Sequence, residues 1–403
     1  MIYAALLGFG VVGSGTAEVL TRNQALIERR VGDSVCIRYI LDLREFPDSP
    51  FADRIVHDFN IILNDPDVSV VAEMMGGSHP AYDFTKALLS AGKSVVTSNK
   101  EVVAAFGTEL LALAREHGCH YLFEASVGGG IPIISPLRKD LASNQISAIS
   151  GILNGTTNYI LTRMKNEGAA FADVLADAQR LGYAERNPAA DVEGLDAARK
   201  IVILAAMAFG KRLDPNAIHC EGITRITPED CDAAESLGYA VKLIGYTTMI
   251  NGRVLAMVSP RAVPEDNPIF GVNDVFNGIL VEADMVGKLM FYGPGAGKLP
   301  TASAVAADMI EIMSGRTVGE PVWVDAAAND TADFDGYVCR SLLTFEVPRD
   351  CADALRAQFG SDRGFVYADG RLTFVSGSMT EADTRAAIAS AGFPLVSRLR
   401  VLD

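Results

Sequence analysis

Residues 2–15 read IYAALLGFGVVGSG, an apolar run followed at once by closely spaced glycines. The run has the composition of a short strand that is buried on both faces. Gly8, Gly10 and Gly13 have GxGxxG spacing. Glycines so spaced allow a tight turn and a close approach of the backbone to a pyrophosphate at the next helix N-terminus. The stretch predicts the start of a dinucleotide-binding domain, with a plain glycine-rich turn as the alternative.

The ends of the next predicted strands carry charged residues. The second strand, Val35–Leu41, is followed by Asp42 and Arg44. An acid at this place binds the ribose hydroxyl groups of NAD, whereas an arginine can bind the 2′-phosphate of NADP. Because both are present, the sequence leaves the cofactor choice open. Another predicted strand ends at Ser98-Asn99-Lys100. Ligands bind at the carboxyl ends of strands in open α/β sheets, so Lys100 can reach a cofactor or substrate; a solvated lysine at a helix start is the alternative.

Residues 182–200 read GYAERNPAADVEGLDAARK and bring Glu185, Asp191 and Asp196 close in sequence to Lys200. Asp196 and Lys200 are four residues apart, so on a helix they share one face. The following IVILAAMAFG has no charge, and a helix that is apolar on all sides is buried. A lysine at the edge of an interior needs partners. We interpret the stretch as a site that holds an ammonium group and moves a proton; an exposed Asp–Lys pair is the alternative.

Two further stretches suggest binding functions. Residues 121–136, YLFEASVGGGIPIISP, contain three consecutive glycines. Such runs let carbonyl oxygens converge on a cation, although a hinge between domains is the alternative. The stretch NGTTNYILTRM predicts a helix capped at Thr156 and Thr157, where a carboxylate can bind in place of the backbone.

Composition bounds the class of protein. The chain has 403 residues, enough for two or three domains, and is 49% apolar and 21% charged. Its net charge of −15 argues against general binding to nucleic acids or acidic membranes. The six cysteines show neither CxxC nor zinc spacing, so we expect reduced thiols and a cytoplasmic protein. We expect no signal peptide and no membrane span.

Seven motifs together resemble the homoserine dehydrogenase family. They occur in family order over about residues 4 to 315 and read GFGVVGSG, DPDVSVVAEMMGG, GKSVVTSNKEVVA, FEASVGGGIPII, NGTTNYIL, GYAERNPAADVEGLDAARK and GPGAGKLPTASAV. The resemblance implies the reversible, NAD(P)H-dependent reduction of L-aspartate 4-semialdehyde to L-homoserine in threonine, methionine and isoleucine biosynthesis. It also implies a homodimer that acts on a small molecule, with no nucleic-acid or membrane partner.

The resemblance assigns roles to single residues. The catalytic residues would be Lys200 as proton donor, Asp196 and Lys100. Together with Thr156 from the predicted cap, the substrate-binding residues would be Glu185, Asp191 and Asp196. The cofactor, NADP or NAD, would be bound by Gly8, Phe9, Gly10, Val11, Val12, Gly13, Asp42, Arg44, Asn99, Lys100, Gly182 and Gly297. A monovalent cation, usually sodium, would be held by Glu124, Val127, Gly129 and Ile131, largely through backbone oxygens.

The predicted fold class is α/β with three parts. A Rossmann-type nucleotide-binding domain covers 1–132 plus 297–316, and an α+β catalytic and dimerisation domain with a mixed sheet covers 133–296. Residues 334–403 form a small βαββαβ module that is ACT-like. Two alternative functions are a nucleotide-sensing regulatory protein whose C-terminal module binds an amino acid, and another Rossmann amino-acid dehydrogenase. A sensor has no need of a proton donor, and another dehydrogenase should not need NGTTN.

Overall fold

The computed structural model describes residues 1–403, which form two compact units. The first unit comprises Met1–Gln145, Val202–Asp214 and Phe291–Ala326. The second comprises Ile146–Ile201, Pro215–Met290 and Ala327–Asp403. None of the helices combines the length and the apolarity needed to cross a bilayer.

A six-stranded parallel sheet lies at the centre of the first unit. Its strands in spatial order are Ile55–Val56, Val35–Leu41, Ile2–Leu7, Val68–Glu73, Ser94–Thr97 and Tyr121–Leu122. In chain numbering this order is 3-2-1-4-5-6, the Rossmann arrangement, which confirms the predicted nucleotide-binding domain. Ile2–Leu7 pairs with the second strand on one side and the fourth on the other. Its carboxyl end therefore lies where the strand order reverses, the place at which dinucleotides bind.

Helices cover this sheet, and one of them comes from far along the chain. The helices are Val11–Arg22, Gln24–Val31, Phe59–Asn64, Ala81–Ser90, Lys100–Glu116, Ile134–Arg138 and Lys298–Met313, with short 3₁₀ turns at Ala52–Arg54 and Glu124–Ser126. Lys298–Met313 packs so closely on Val11–Arg22 that a Cβ atom at Gly15 would lie 2.8 Å from Lys298 O. The Lys211–Arg212 and Val324–Asp325 strands pair in parallel.

The second unit contains the predicted mixed sheet, which has ten strands. In spatial order the strands are Gly287–Pro294, Phe276–Ala283, Ile146–Ile152, Tyr239–Ile250, Arg253–Pro264, Leu395–Val401, Ser341–Glu346, Arg371–Val375 and Phe365–Ala368, with His219–Cys220 paired to Arg253–Pro264. The helices are Gly155–Glu167, Phe171–Leu181, Ala189–Val192, Pro228–Glu235, Ala352–Gln358 and Glu381–Ser390, and the Leu195–Phe209 helix belongs to this unit as far as Ile201. Val338–Cys339 and Met379–Thr380 form a separate antiparallel pair.

The C-terminal residues show the predicted βαββαβ order. Numbered within the module, its strands lie in the order 4-1-3-2 and pair antiparallel around a core that includes Phe345, Phe359 and Phe374. The last strand, Leu395–Val401, also pairs in parallel with Arg253–Pro264. The module therefore extends the large sheet of the second unit. Its likeness to an ACT domain stays a prediction.

Candidate active site

The glycine-rich turn has the geometry of a phosphate-binding turn. Gly8 has φ +92°, a conformation that favours glycine. A Cβ atom at Gly13 would lie 1.9 Å from Gly8 O, so no larger residue fits there. Gly10 caps the Val11–Arg22 helix without a side-chain hydrogen bond. The first N–H groups of this helix are therefore left for an anionic ligand.

Asp42 and Arg44 form a pair beside a cavity in the first unit. Arg44 donates from Nε and Nη2 to the two carboxylate oxygens of Asp42, each at 3.0 Å. The backbone N–H of Phe9 donates to the same carboxylate at 2.8 Å. The hydrogen bond from Arg44 outweighs burial and holds the pKa of Asp42 well below its usual range. The cavity of about 510 Å³ is lined by this pair and by apolar side chains such as Phe59 and Phe84, which suits an adenosine.

A buried carboxylate links the carboxyl ends of the neighbouring strands Val68–Glu73 and Ser94–Thr97. Glu73, the last residue of its strand, has no exposed surface. It accepts hydrogen bonds from Thr97 Oγ1 at 2.6 Å and from the backbone N–H of Met75 at 2.7 Å. Burial raises the pKa of Glu73 to about 7. Asn99 caps the Lys100–Glu116 helix and donates to Gly77 O. Lys100 is thus the first residue of a firmly placed helix.

Lys200, in the second unit, directly precedes a buried helical segment. It is on the Leu195–Phe209 helix and is 9% exposed. Its Nζ donates to Leu153 O and to Asp196 Oδ2, both at 2.7 Å. The residues that follow, 201–206, are at most 1% exposed. The interpretation of an exposed Asp–Lys pair is therefore wrong.

Asn154 joins the two acids of this site. Its Nδ2 donates to Asp191 Oδ1 at 2.7 Å and to Asp196 Oδ2 at 2.9 Å. Its Oδ1 accepts from the backbone N–H of Thr157, which fixes which amide atom faces the carboxylates. Sequence reasoning missed this residue. The preference for asparagine at helix N-caps, applied to NGTT, could have found it.

The predicted cap at Thr156 and Thr157 is wrong, because the helix begins at Gly155 and Asn154 caps it. The Thr156 hydroxyl instead donates to Tyr183 O at 2.6 Å. Glu185 is exposed; its backbone carbonyl accepts from Gln179, and its carboxylate is left for solvent or a ligand. Asp191, Asp196 and Lys200 thus come together, and Glu185 remains outside their hydrogen-bond network.

The Glu124 carboxylate is hydrogen-bonded to backbone N–H groups. It accepts from the N–H groups of Ile133, Ile134 and Ser135 at 2.6, 2.9 and 2.6 Å, at the start of the Ile134–Arg138 helix. Burial raises the pKa of Glu124, and these three bonds oppose the rise. No group of three or more histidine, cysteine, aspartate or glutamate side chains is arranged to hold a metal ion. Any cation in this loop would depend on backbone oxygens.

The Rossmann sheet with its glycine-rich turn and the buried lysine–carboxylate pair define an NAD(P)-dependent oxidoreductase. Residues 8–124 match the NAD-binding domain of homoserine dehydrogenase, and residues 132–310 match the homoserine dehydrogenase model. The chain belongs to the homoserine dehydrogenase family, whose members act on a CH–OH group in amino-acid biosynthesis.

Individual relatives support this assignment over the chain. A homoserine dehydrogenase from Synechocystis sp. is 45% identical over 315 residues, which are 76% of this chain and 72% of that protein. One from Corynebacterium glutamicum is 38% identical over 401 residues, 94% of this chain and 89% of that protein.

Solved structures agree with the relatives. The crystal structure of a homoserine dehydrogenase from Thiobacillus denitrificans has a TM-score of 0.90 at 34% identity and covers 100% of this chain and 98% of its own. A hyperthermophilic archaeal homoserine dehydrogenase in complex with NADPH has a TM-score of 0.66 at 26% identity, covering 77% and 97%. Neither the nucleotide sensor nor another amino-acid dehydrogenase is favoured.

Proposed function

We propose that Lys200 is the proton donor in the NAD(P)H-dependent reduction of L-aspartate 4-semialdehyde to L-homoserine. The supporting observation is that Leu153 O and Asp196 Oδ2 fix its ammonium group. An ammonium group has three N–H donors, so one remains for the substrate oxygen. When bound, the nicotinamide cofactor would supply the hydride for the aldehyde carbon. Lys200 gives its proton to the oxygen as that oxygen becomes an alkoxide, and neutral Lys200 acts as base in the reverse direction.

The acids of the same unit would bind the amino-acid part of the substrate. Asp191 and Asp196, which Asn154 joins in one hydrogen-bond network, would accept hydrogen bonds from the α-ammonium group of the substrate. Glu185, with its carboxylate unoccupied by the protein, would be a second ammonium ligand. The substrate carboxylate would lie at the N-terminus of the Gly155–Glu167 helix beside Thr156, where the helix dipole favours an anion.

The first unit would bind the cofactor through the turn that follows Ile2–Leu7. The pyrophosphate would lie against the N-terminus of the Val11–Arg22 helix, and Asp42 with Arg44 would contact the adenosine ribose. The proposed contacts of this unit also include Phe9, Val11, Val12, Asn99, Lys100 and Gly297, and the family resemblance adds Gly182. Gly182 and Gly297 both have positive φ, +79° and +117°, and so mark tight backbone turns.

A monovalent cation would be held by the 124–131 loop. Val127, Gly129 and Ile131 are buried, and none of the backbone hydrogen bonds of the structure ends on their carbonyl oxygens. Buried carbonyl groups are normally paired, so these oxygens fit an oxygen-ligated cation such as sodium. The Glu124 side chain would shape the loop by holding the next helix.

The remaining proposals concern organisation. The proposed division is 1–132 plus 297–316, 133–296 and 334–403, and the packing of Lys298–Met313 in the first unit supports the assignment of 297–316 to the nucleotide-binding domain. The family resemblance supports a homodimer through the large sheet. The six free cysteines suit a reducing compartment, the cytoplasm.

The test is the Lys200→Ala variant. Positioned proton transfer contributes about 10²–10⁴-fold, so kcat should fall at least 10²-fold with little change in cofactor Kd. A matched control is Lys242→Ala, which removes another buried lysine of the same unit, one that donates to Asn158 Oδ1, Val272 O and Asn273 Oδ1. This control should keep its turnover. Near-normal kcat in Lys200→Ala at neutral pH would remove Lys200 from the role.

A further inference from the structure

Arg400 ties the C-terminal βαββαβ module to a loop elsewhere in the same unit. It lies on the last strand and is 6% exposed. Its guanidinium group donates to Glu381 from Nε at 2.8 Å and from Nη2 at 3.2 Å. It donates to Glu221 from Nη1 at 3.0 Å. Because the guanidinium fork is planar, fixing two of its arms on Glu381 also fixes the arm that points to Glu221.

Glu221 is held firmly at the other end of this link. Its backbone N–H donates to Val258 O at 2.8 Å. Its carboxylate lies 2.6 Å from His219 Nε2, and the His219 ring stacks on Phe334 at 3.7 Å. Burial alone would raise the pKa of Glu221, but the hydrogen bonds from His219 and Arg400 outweigh it and lower the pKa to about 2. The carboxylate therefore stays ionised over the working range of an enzyme.

The residues on both sides of Glu221 press against the turn between the two active-site acids. Ile223 donates its N–H to Val192 O at 2.8 Å. The Cys220 thiol donates to Glu193 O at 3.3 Å. A Cβ atom at Gly222 would lie 2.2 Å from Val192 O, so this approach needs glycine. Val192 and Glu193 follow Asp191 directly, and their position sets the distance from Asp191 to Asp196.

We propose that Arg400 and Glu221 are positioning residues for the amino-acid substrate. They fix the 220–223 loop, and through it the turn that presents Asp191 and Asp196 to Asn154. The inference rests on the proposed role of these two acids in substrate binding. Misplacement of a binding group by about 1 Å can cost about 10²-fold, so a loosened turn weakens homoserine binding. The C-terminal module thereby supports substrate affinity without contributing a ligand.

The test breaks the link at its more exposed end. Glu221→Ala removes the acceptor and leaves Arg400 paired with Glu381, whereas Glu221→Gln keeps an oxygen for Arg400 Nη1. The matched control is Asp335→Ala, which removes the 2.6 Å ion pair of Asp335 with Arg385; the acids that are lost have similar side-chain exposure, 43% and 49%. The measurements are KM for homoserine, Kd for NADPH and the thermal midpoint.

We expect Glu221→Ala to raise KM for homoserine roughly tenfold, within the range for misplaced groups, with Kd for NADPH unchanged. Glu221→Gln should restore most of the affinity, and the control should match the parent. If Glu221→Ala does not fold, Arg400→Lys, which retains a charge for Glu381 but has no planar fork, should give the same rise in KM.

An unchanged KM for homoserine would overturn the proposal, as would equal rises in KM for homoserine and Kd for NADPH. Lys200→Ala, measured in the same series, distinguishes the proposed proton transfer from the proposed positioning role. If Lys200→Ala retains turnover, the proposed chemistry fails. If it loses turnover while Glu221→Ala keeps its KM, only the positioning role fails.

Discussion

Replacing Asn154 tests whether its amide group organises the active-site acids. The Asn154 side chain has two separable tasks, because Oδ1 caps the Gly155–Glu167 helix while Nδ2 donates to Asp191 and Asp196. Asn154→Ser should keep the cap, since serine is a good N-cap residue, but serine has no Nδ2 group to donate to the two acids. Asn154→Ala loses both tasks.

The expected magnitude follows from the hydrogen bonds that are lost. A hydrogen bond to a charged group contributes about 1.5–3 kcal/mol, and Asp196 keeps its bond from Lys200. If Asn154→Ser loses the equivalent of one such hydrogen bond, kcat/KM for homoserine should fall roughly 10- to 150-fold in this variant. Asn154→Ala should show a similar kinetic loss and a further loss of stability of about 0.5–2 kcal/mol from the missing cap.

The assay combines steady-state homoserine oxidation with urea unfolding of the three proteins. The serine variant is the informative one, because it separates the cap from the bridge between the acids. If Asn154→Ser turned over homoserine within about twofold of the parent while Asn154→Ala lost activity together with stability, the amide bridge would have no catalytic importance. The interpretation of Asn154 as a helix cap alone would then be correct.

Three further predictions concern the cofactor, pH and the substrate. Arg44→Ala frees the Asp42 carboxylate for ribose hydroxyl groups and removes a ligand for the 2′-phosphate of NADP. The ratio of the Kd for NADPH to the Kd for NADH, measured by fluorescence titration, should therefore rise roughly 10- to 150-fold. An unchanged ratio would contradict this prediction. The folded-state pKa of Glu73, about 7, lies above its usual 4.5. The unfolding free energy should therefore fall by about 3 kcal/mol as pH rises from 4.5 through 7. Glu73→Gln should abolish this pH dependence of the unfolding free energy, measured by urea titration. The analogue 4-hydroxybutyrate lacks the α-ammonium group that Asp191, Asp196 and Glu185 are proposed to bind, so kcat/KM for its oxidation should be lower than for homoserine. Equal values of kcat/KM for the two compounds would refute the proposed role of these acids.

The sequence predicts those features whose cause is local. The glycine spacing of the first turn is set by steric contacts within six residues, such as the approach of Gly13 to Gly8 O, and so the Rossmann start was predicted correctly. The same holds for Asp196 and Lys200, because i, i+4 spacing on a helix brings the two side chains together. The alternation of strands and helices likewise sufficed to predict the order of the C-terminal module.

The features that sequence reasoning missed depend on distant partners. Asn154 lies 37 and 42 residues from the acids that it joins, and Arg400 lies 179 residues from Glu221. The motif shows that several carboxylates lie close to a lysine, but buried carboxylates remain charged only where donors satisfy their oxygens. Asn154, the cap of another helix, supplies such donors directly. Arg400, on the final strand, acts indirectly through Glu221. Residue type therefore indicates which chemistry a segment can perform, whereas long-range polar contacts determine whether its groups are held in the geometry that the chemistry needs.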